Sequence, residues 1–137
     1  FFLVLFTLIV LASCQDQKAT AVDVSMLNGY WEIEQVTLAD GSTKEYKINE
    51  AIDFFEVKND SGFRKKVKPQ LDGTYLVNNA DEKVKIEHSD QGTFIHYKTN
   101  YSKWKEKIKS LSKEQLILVN DQNIEYQYKK PIPFTLK

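Results

Sequence analysis

The chain has one cysteine, one methionine, two histidines, three prolines and five glycines in 137 residues. A single cysteine excludes an internal disulfide, so no cross-link can staple the fold in an oxidising compartment. Charge of one sign is not in excess either: 19 basic residues balance 19 acidic ones. Bulk electrostatics therefore give no argument for nucleic acid or for an acidic substrate. Arginine is nearly missing, since Arg64 stands alone among lysines, and lysine is the poorer residue for two-pronged recognition of phosphate or carboxylate. There is no internal repeat and no low-complexity tract. Catalytic patterns are wanting as well. The sequence has no Gly-x-Ser-x-Gly elbow, no glycine-rich loop to cradle phosphate, and no carboxylate pair with forced proximity. No catalytic residue is named on this reading, no cofactor is expected, and the chain is not expected to be an enzyme.

What is present begins with an apolar run. Phe1 to Ala12 carries no charge and only Thr7 as a polar side chain. It falls short of the roughly 20 apolar residues that cross a bilayer but has the length of a signal-peptide core, roughly 7–15 residues. Leu11-Ala12-Ser13-Cys14 closes the run and resembles the lipobox of bacterial lipoproteins. That resemblance implies cleavage before Cys14, a diacylglyceryl thioether on its sulfur and an acylated amino terminus. Two or three chains anchor far better than one. Residues 1–13 are thus expected to be a signal peptide, truncated at its start because it lacks a Met and a basic segment. Residues 14–25, polar and without strict periodicity, read as a tether. A charged stretch just after the cysteine resembles the surface-export signal of Bacteroidota lipoproteins. The expected location is the bacterial outer membrane, on its periplasmic or its surface face.

Residues 26–130 read as an all-β domain, an antiparallel meander of eight to ten strands with turn residues every 8 to 12 positions, followed by a tail over 131–137. Tyr30 to Leu38 alternates until the parity changes between Ile33 and Val36, which predicts a β-bulge. Further strands are expected at Ile52 to Val57, Phe63 to Lys68, Thr74 to Val77 (ending at Asn78-Asn79), Lys83 to Glu87, Thr93 to Lys98, Lys103 to Lys109, Leu116 to Val119 and Ile124 to Tyr128. One helical turn is allowed around Ser25 to Asn28. A barrel removes the free edges that such a meander leaves.

Leu27-Asn28-Gly29-Tyr30-Trp31 resembles the opening of the lipocalin superfamily and of small lipocalin-like lipoproteins of Bacteroidota. The resemblance implies a barrel whose closed end is plugged by Trp31, with Gly29 turning the chain before it. A cation from the last strand, Lys129 or Lys130, would lie over the ring. Lys129 is the residue preferred for the closing motif. Phe54, Phe63, Tyr75, Phe94, Tyr97, Trp104, Tyr126 and Tyr128 are the candidates to line the interior, either as packed core or as the wall of an apolar pocket.

His88 and His96 flank the Asp90-Gln91 turn. Their pairing positions sum to 181, which places His96 opposite Lys85, His88 opposite Thr93, and the two rings on opposite faces. No metal is expected. Two basic runs, Arg64-Lys65-Lys66-Val67-Lys68 and Lys103 to Lys109, read as solvated strand faces or as a patch for anionic partners. The expectation is a monomeric, membrane-anchored, lipocalin-like lipoprotein, non-enzymatic, with a small hydrophobic ligand in the barrel and no nucleic-acid partner. The alternative is an envelope scaffold with a filled core and a basic outer face.

Overall fold

A computed structural model of the chain describes residues 22–47 and 51–132, apart from the side chains of Asn78 and Asn79. Leu11, Ala12, Ser13 and Cys14 lie outside the described residues. Nine strands follow one short 3₁₀ turn: β1 (Gly29–Thr37), β2 (Thr43–Glu45), β3 (Ile52–Lys58), β4 (Ser61–Pro69), β5 (Tyr75–Ser89), β6 (Gly92–Lys98), β7 (Lys103–Leu111), β8 (Gln115–Asn120) and β9 (Glu125–Lys129). Every pairing is antiparallel between neighbours in sequence, except that β1 passes over β2 to reach β3 and also pairs with β9. That last pairing closes an eight-stranded barrel, with β2 sharing the edge of β1 that β3 occupies lower down.

Two expected elements differ from what forms. The expected break at Asn78-Asn79 does not end a strand; β5 runs on for 15 residues. The register with β4 instead jumps, Lys65 facing Asp81 and Val67 facing Val77. Extra residues on one side of a ladder bend and twist it, so one long strand pairs with β4 along most of its length and with β6 at its far end. Strand β2, conversely, is three fully exposed residues with no alternation to reveal it. The bulge expected in β1 is present, between Ile33 and Gln35.

Strand alternation assigns every side chain a face. Trp31, Phe55, Val57, Val84, Ile86, Ile95, Tyr97, Ile108, Leu116, Leu118 and Tyr128 point inward and form the core with Leu27. The 3₁₀ turn Val24–Leu27 stops one end of the barrel. It is capped by Asp23, whose Oδ1 accepts from the Ser25 amide at 3.1 Å. The Trp31 indole N–H donates to the Leu27 carbonyl at 2.8 Å, and both residues are wholly buried. Asn28 ties the turn to β3, accepting from the Val57 amide at 2.6 Å and donating to its carbonyl at 3.1 Å. Val22 and Val24 pack on this core. The packed domain therefore extends into residues assigned to the tether, because two valines in that stretch cover apolar surface.

Gly29 holds φ at +111°, and a Cβ there would stand 3.2 Å from the Lys130 ammonium. We expect Gly29→Ala to cost about 1–3 kcal/mol from the strained φ alone. Urea unfolding checks it, and an unchanged midpoint would show that the turn before β1 relaxes freely.

Candidate functional site

The closed end takes the form that the resemblance implied, with one correction. Lys130, and not Lys129, lies over Trp31, its Nζ 3.9 Å from the ring centroid. Tyr128 is buried and points inward, so residue 130 returns to the inner side and residue 129 faces out. Lys130 also donates to the Asn28 carbonyl at 3.4 Å, and partial burial lowers its pKa.

Of the eight aromatics expected inside, four are there. Tyr97 is buried and stacked on Trp104 with centroids 5.3 Å apart. Tyr126 and Tyr128 face Leu118 and Leu116 across the inner wall. Phe54, Phe63, Tyr75 and Phe94 are corrections, because their strand parity turns them outward. Phe54, Phe63 and Tyr75 join Tyr30 in an external ladder, Tyr30 stacking on Tyr75 at 4.1 Å and packing on Phe54 at 4.8 Å. Phe94 lies under the Lys105 ammonium on the outer face.

The places these aromatics leave inside are taken by charge. Arg64, expected on a solvated face, points into the barrel with only 11% of its side chain exposed. Its Nε donates to Glu82 Oε2 at 2.7 Å, and its Nη1 stands 3.7 Å from Glu106 Oε1. The guanidinium lies 4.2 Å from the centroid of the Tyr97 ring. Asp53, buried nearby, accepts from Lys66 at 3.1 Å. Burial opposes the charge on Arg64, but Tyr97, Asp53 and Glu82 together hold it firmly protonated. Burial pushes Glu106 above the ordinary glutamate range, against the opposing pull of Tyr97 and Arg64. Neither the Tyr97 hydroxyl nor Glu106 Oε1 closes a hydrogen bond. Three carboxylates, Asp53, Glu82 and Glu106, share the inward face with Arg64, and for Glu106 the signal was its sequence parity with Trp104 and Ile108.

A concavity of about 830 Å³ lies outside the barrel, over β4 to β7. Its floor is a cross-strand row, Gly62, Val84, Tyr97 and Trp104. The three side chains of that row turn inward and leave backbone facing out. Two flanking rows form the walls. Ser61, Lys85, His96 and Lys105 stand side by side in one, and Phe63, Lys83, Lys98 and Lys103 in the other. Like charges directly opposite across strands are destabilising, by up to about 1 kcal/mol a pair. Among the described residues, none of the five lysines has an ion-pair partner.

The histidine register is as the turn arithmetic gave it, His88 opposite Thr93 and His96 opposite Lys85. Each ring has its own carboxylate, His88 with Asp60 at 3.1 Å and His96 with Glu87 at 2.6 Å. Among the described residues no cluster of three metal-ligating side chains forms.

A family model described as the lipocalin-like domain matches residues 27–118. That span is more than half of the chain, and the chain belongs to this family. Two solved structures are similar. One, a lipocalin-like protein from Bacteroides uniformis, has 18% identity and a TM-score of 0.49, over 77% of this chain and 99% of that one. The other, an uncharacterized protein from Bacteroides eggerthii, has 13% identity and a TM-score of 0.48, over 76% and 98%. No curated protein matches.

Two outcomes follow for the buried charges. Arg64→Met strands Glu82 and Glu106 without their cation and should cost about 3–5 kcal/mol at neutral pH. Denaturant unfolding reads this, and a loss below about 1 kcal/mol would deny Arg64 its place at the centre of the barrel. Glu106 faces Arg64, Tyr97, Asp53 and Glu82, and its folded pKa is raised. Its contribution to stability is therefore present in acid and lost as pH rises through that raised value. The melting temperature of Glu106→Gln, relative to the native chain, should climb between mildly acidic and neutral pH. A difference independent of pH would contradict this.

Proposed function

We propose that the chain is a lipoprotein of the bacterial outer membrane, held by acyl groups on Cys14, and that its lipocalin-like barrel is a binding module and not an enzyme. Its contact surface is the basic groove over β4 to β7. One observation carries this reading: Arg64 and its partners occupy the centre of the barrel, whereas a concavity of about 830 Å³ opens on the outer face. A charge cluster at the centre of the barrel argues against a wholly apolar ligand there.

A second reading keeps a small ligand inside, as the family's fold allows. The buried Tyr97 hydroxyl and Glu106 Oε1, which has the Arg64 guanidinium at 3.7 Å but closes no hydrogen bond, support it, because buried polar groups normally find partners. Such a ligand would bring a polar group to that pair.

The anchor is tested by growing cells on labelled palmitate. The chain should take up label and fractionate with membranes, and Cys14→Ser should do neither. Label that persists in the serine variant would overturn the anchor. Mass spectrometry of the native protein decides between the two readings, since a co-purifying small molecule released on unfolding would favour the interior one.

A further inference from the structure

We infer that the groove over β4 to β7 binds a linear polyanionic glycan, with carboxylate or phosphate groups along its length. This rests on the reading of the groove as the contact surface and names the chemistry that it takes.

The first observation is the register. Lys83, Lys98 and Lys103 stand directly beside one another across three strands, and the next row sets Lys85 and Lys105 on either side of His96. A sheet that only needed solvated lysines would alternate them with acids or amides, because adjacent like charges repel. His96 is already engaged by Glu87, whereas among the described residues none of the five lysines forms an ion pair. Asp81 and Asp121 are the acids lining the groove, so positive charge prevails.

The second observation is shape. Four strands about 4.8 Å apart make a trough roughly 14 Å long, and the lysine rows, two residues apart along each strand, leave it roughly 7 Å wide. A bilayer surface is flat and meets the rims of such a trough, and duplex nucleic acid is too broad to enter it. Single-stranded nucleic acid is held on aromatic platforms. Tyr97 and Trp104 turn away from the trough, and Phe63, its remaining aromatic, has the Lys65 ammonium 5.0 Å from its ring centroid. A narrow chain of regularly spaced anions fits the charge and the width. Lysines act as point charges with no two-pronged geometry, so they accept carboxylate and phosphate alike.

The test uses the full chain in non-ionic detergent. Polygalacturonate is the probe, and dextran, oligodeoxythymidylate and vesicles of phosphatidylcholine with phosphatidylglycerol are the comparisons. Polygalacturonate should bind with an affinity that falls as salt rises, and dextran should not bind. The triple variant Lys83→Gln, Lys98→Gln, Lys103→Gln should bind at least about tenfold more weakly. With no glycan present its melting temperature should rise, because the cross-strand repulsion is gone. Lys98→Gln alone, at the centre of its row, should shift both readings in the same directions, and it serves if the triple variant folds poorly. Native affinity in these variants, no binding of polygalacturonate, or tighter binding of the oligonucleotide or the vesicles would overturn the proposal. Failure of palmitate labelling removes the anchor and leaves this binding intact. A labelled chain indifferent to polygalacturonate removes the ligand class and leaves the anchor.

Discussion

The placement of Arg64 inside the barrel constrains most of what surrounds it. A guanidinium taken out of water costs several kcal/mol unless carboxylates and hydrogen bonds replace its hydration. Glu82, Glu106 and Asp53 supply the charge, and the Tyr97 ring supplies a face for the cation. These groups sit on four different strands, so they hold only if each strand keeps its register. One step along any of them would turn its member outward. The charge cluster thus adds to the register that burial of one face already imposes on the wall. Below it, Trp31 and Leu27 close the end of the barrel.

The charged interior also bears on what this member of the lipocalin-like family has room for. An eight-stranded barrel has room either for its own side chains or for one small ligand. Here arginine, glutamate and tyrosine occupy the middle. The outer aromatic ladder of Tyr30, Phe54, Phe63 and Tyr75 covers surface beside the groove. Large apolar residues that the sequence suggested for the interior instead brace the wall from outside.

Much of this was legible in the residues and some of it was not. Strand positions followed from alternation and turn chemistry, and the turn at Asp90-Gln91 fixed the β5–β6 register to the residue. The same arithmetic pairs Lys83 with Lys98, so the basic row was written in the sequence as plainly as the histidine pair. Lys130 was recoverable from the parity of Tyr128. The aromatics misled because hydrophobicity was read as inwardness, although Phe54 shares its strand with inward Phe55 and only one parity can face the core. Arg64 was hidden by its neighbours: in Arg64-Lys65-Lys66 no alternation of polarity marks which residue turns in. The long β5 was hidden by Asn78-Asn79, since a bulge and a turn favour the same residue types.

The closing seam joins strands from opposite ends of the domain, and Gln127 reaches back 93 residues to donate to Glu34. A chain emerging from its amino end therefore carries β1 with an open hydrogen-bonding edge until the last strand arrives. Contacts so distant in sequence make assembly slow, and an unpaired strand edge is a template for association with other chains. Loss of a few residues at the carboxyl side of β9 would unseal the wall along its length, whereas the same loss from the β1–β2 loop would shorten a surface turn. Closure of the barrel thus waits for β9, and a copy that lacks this strand cannot form it.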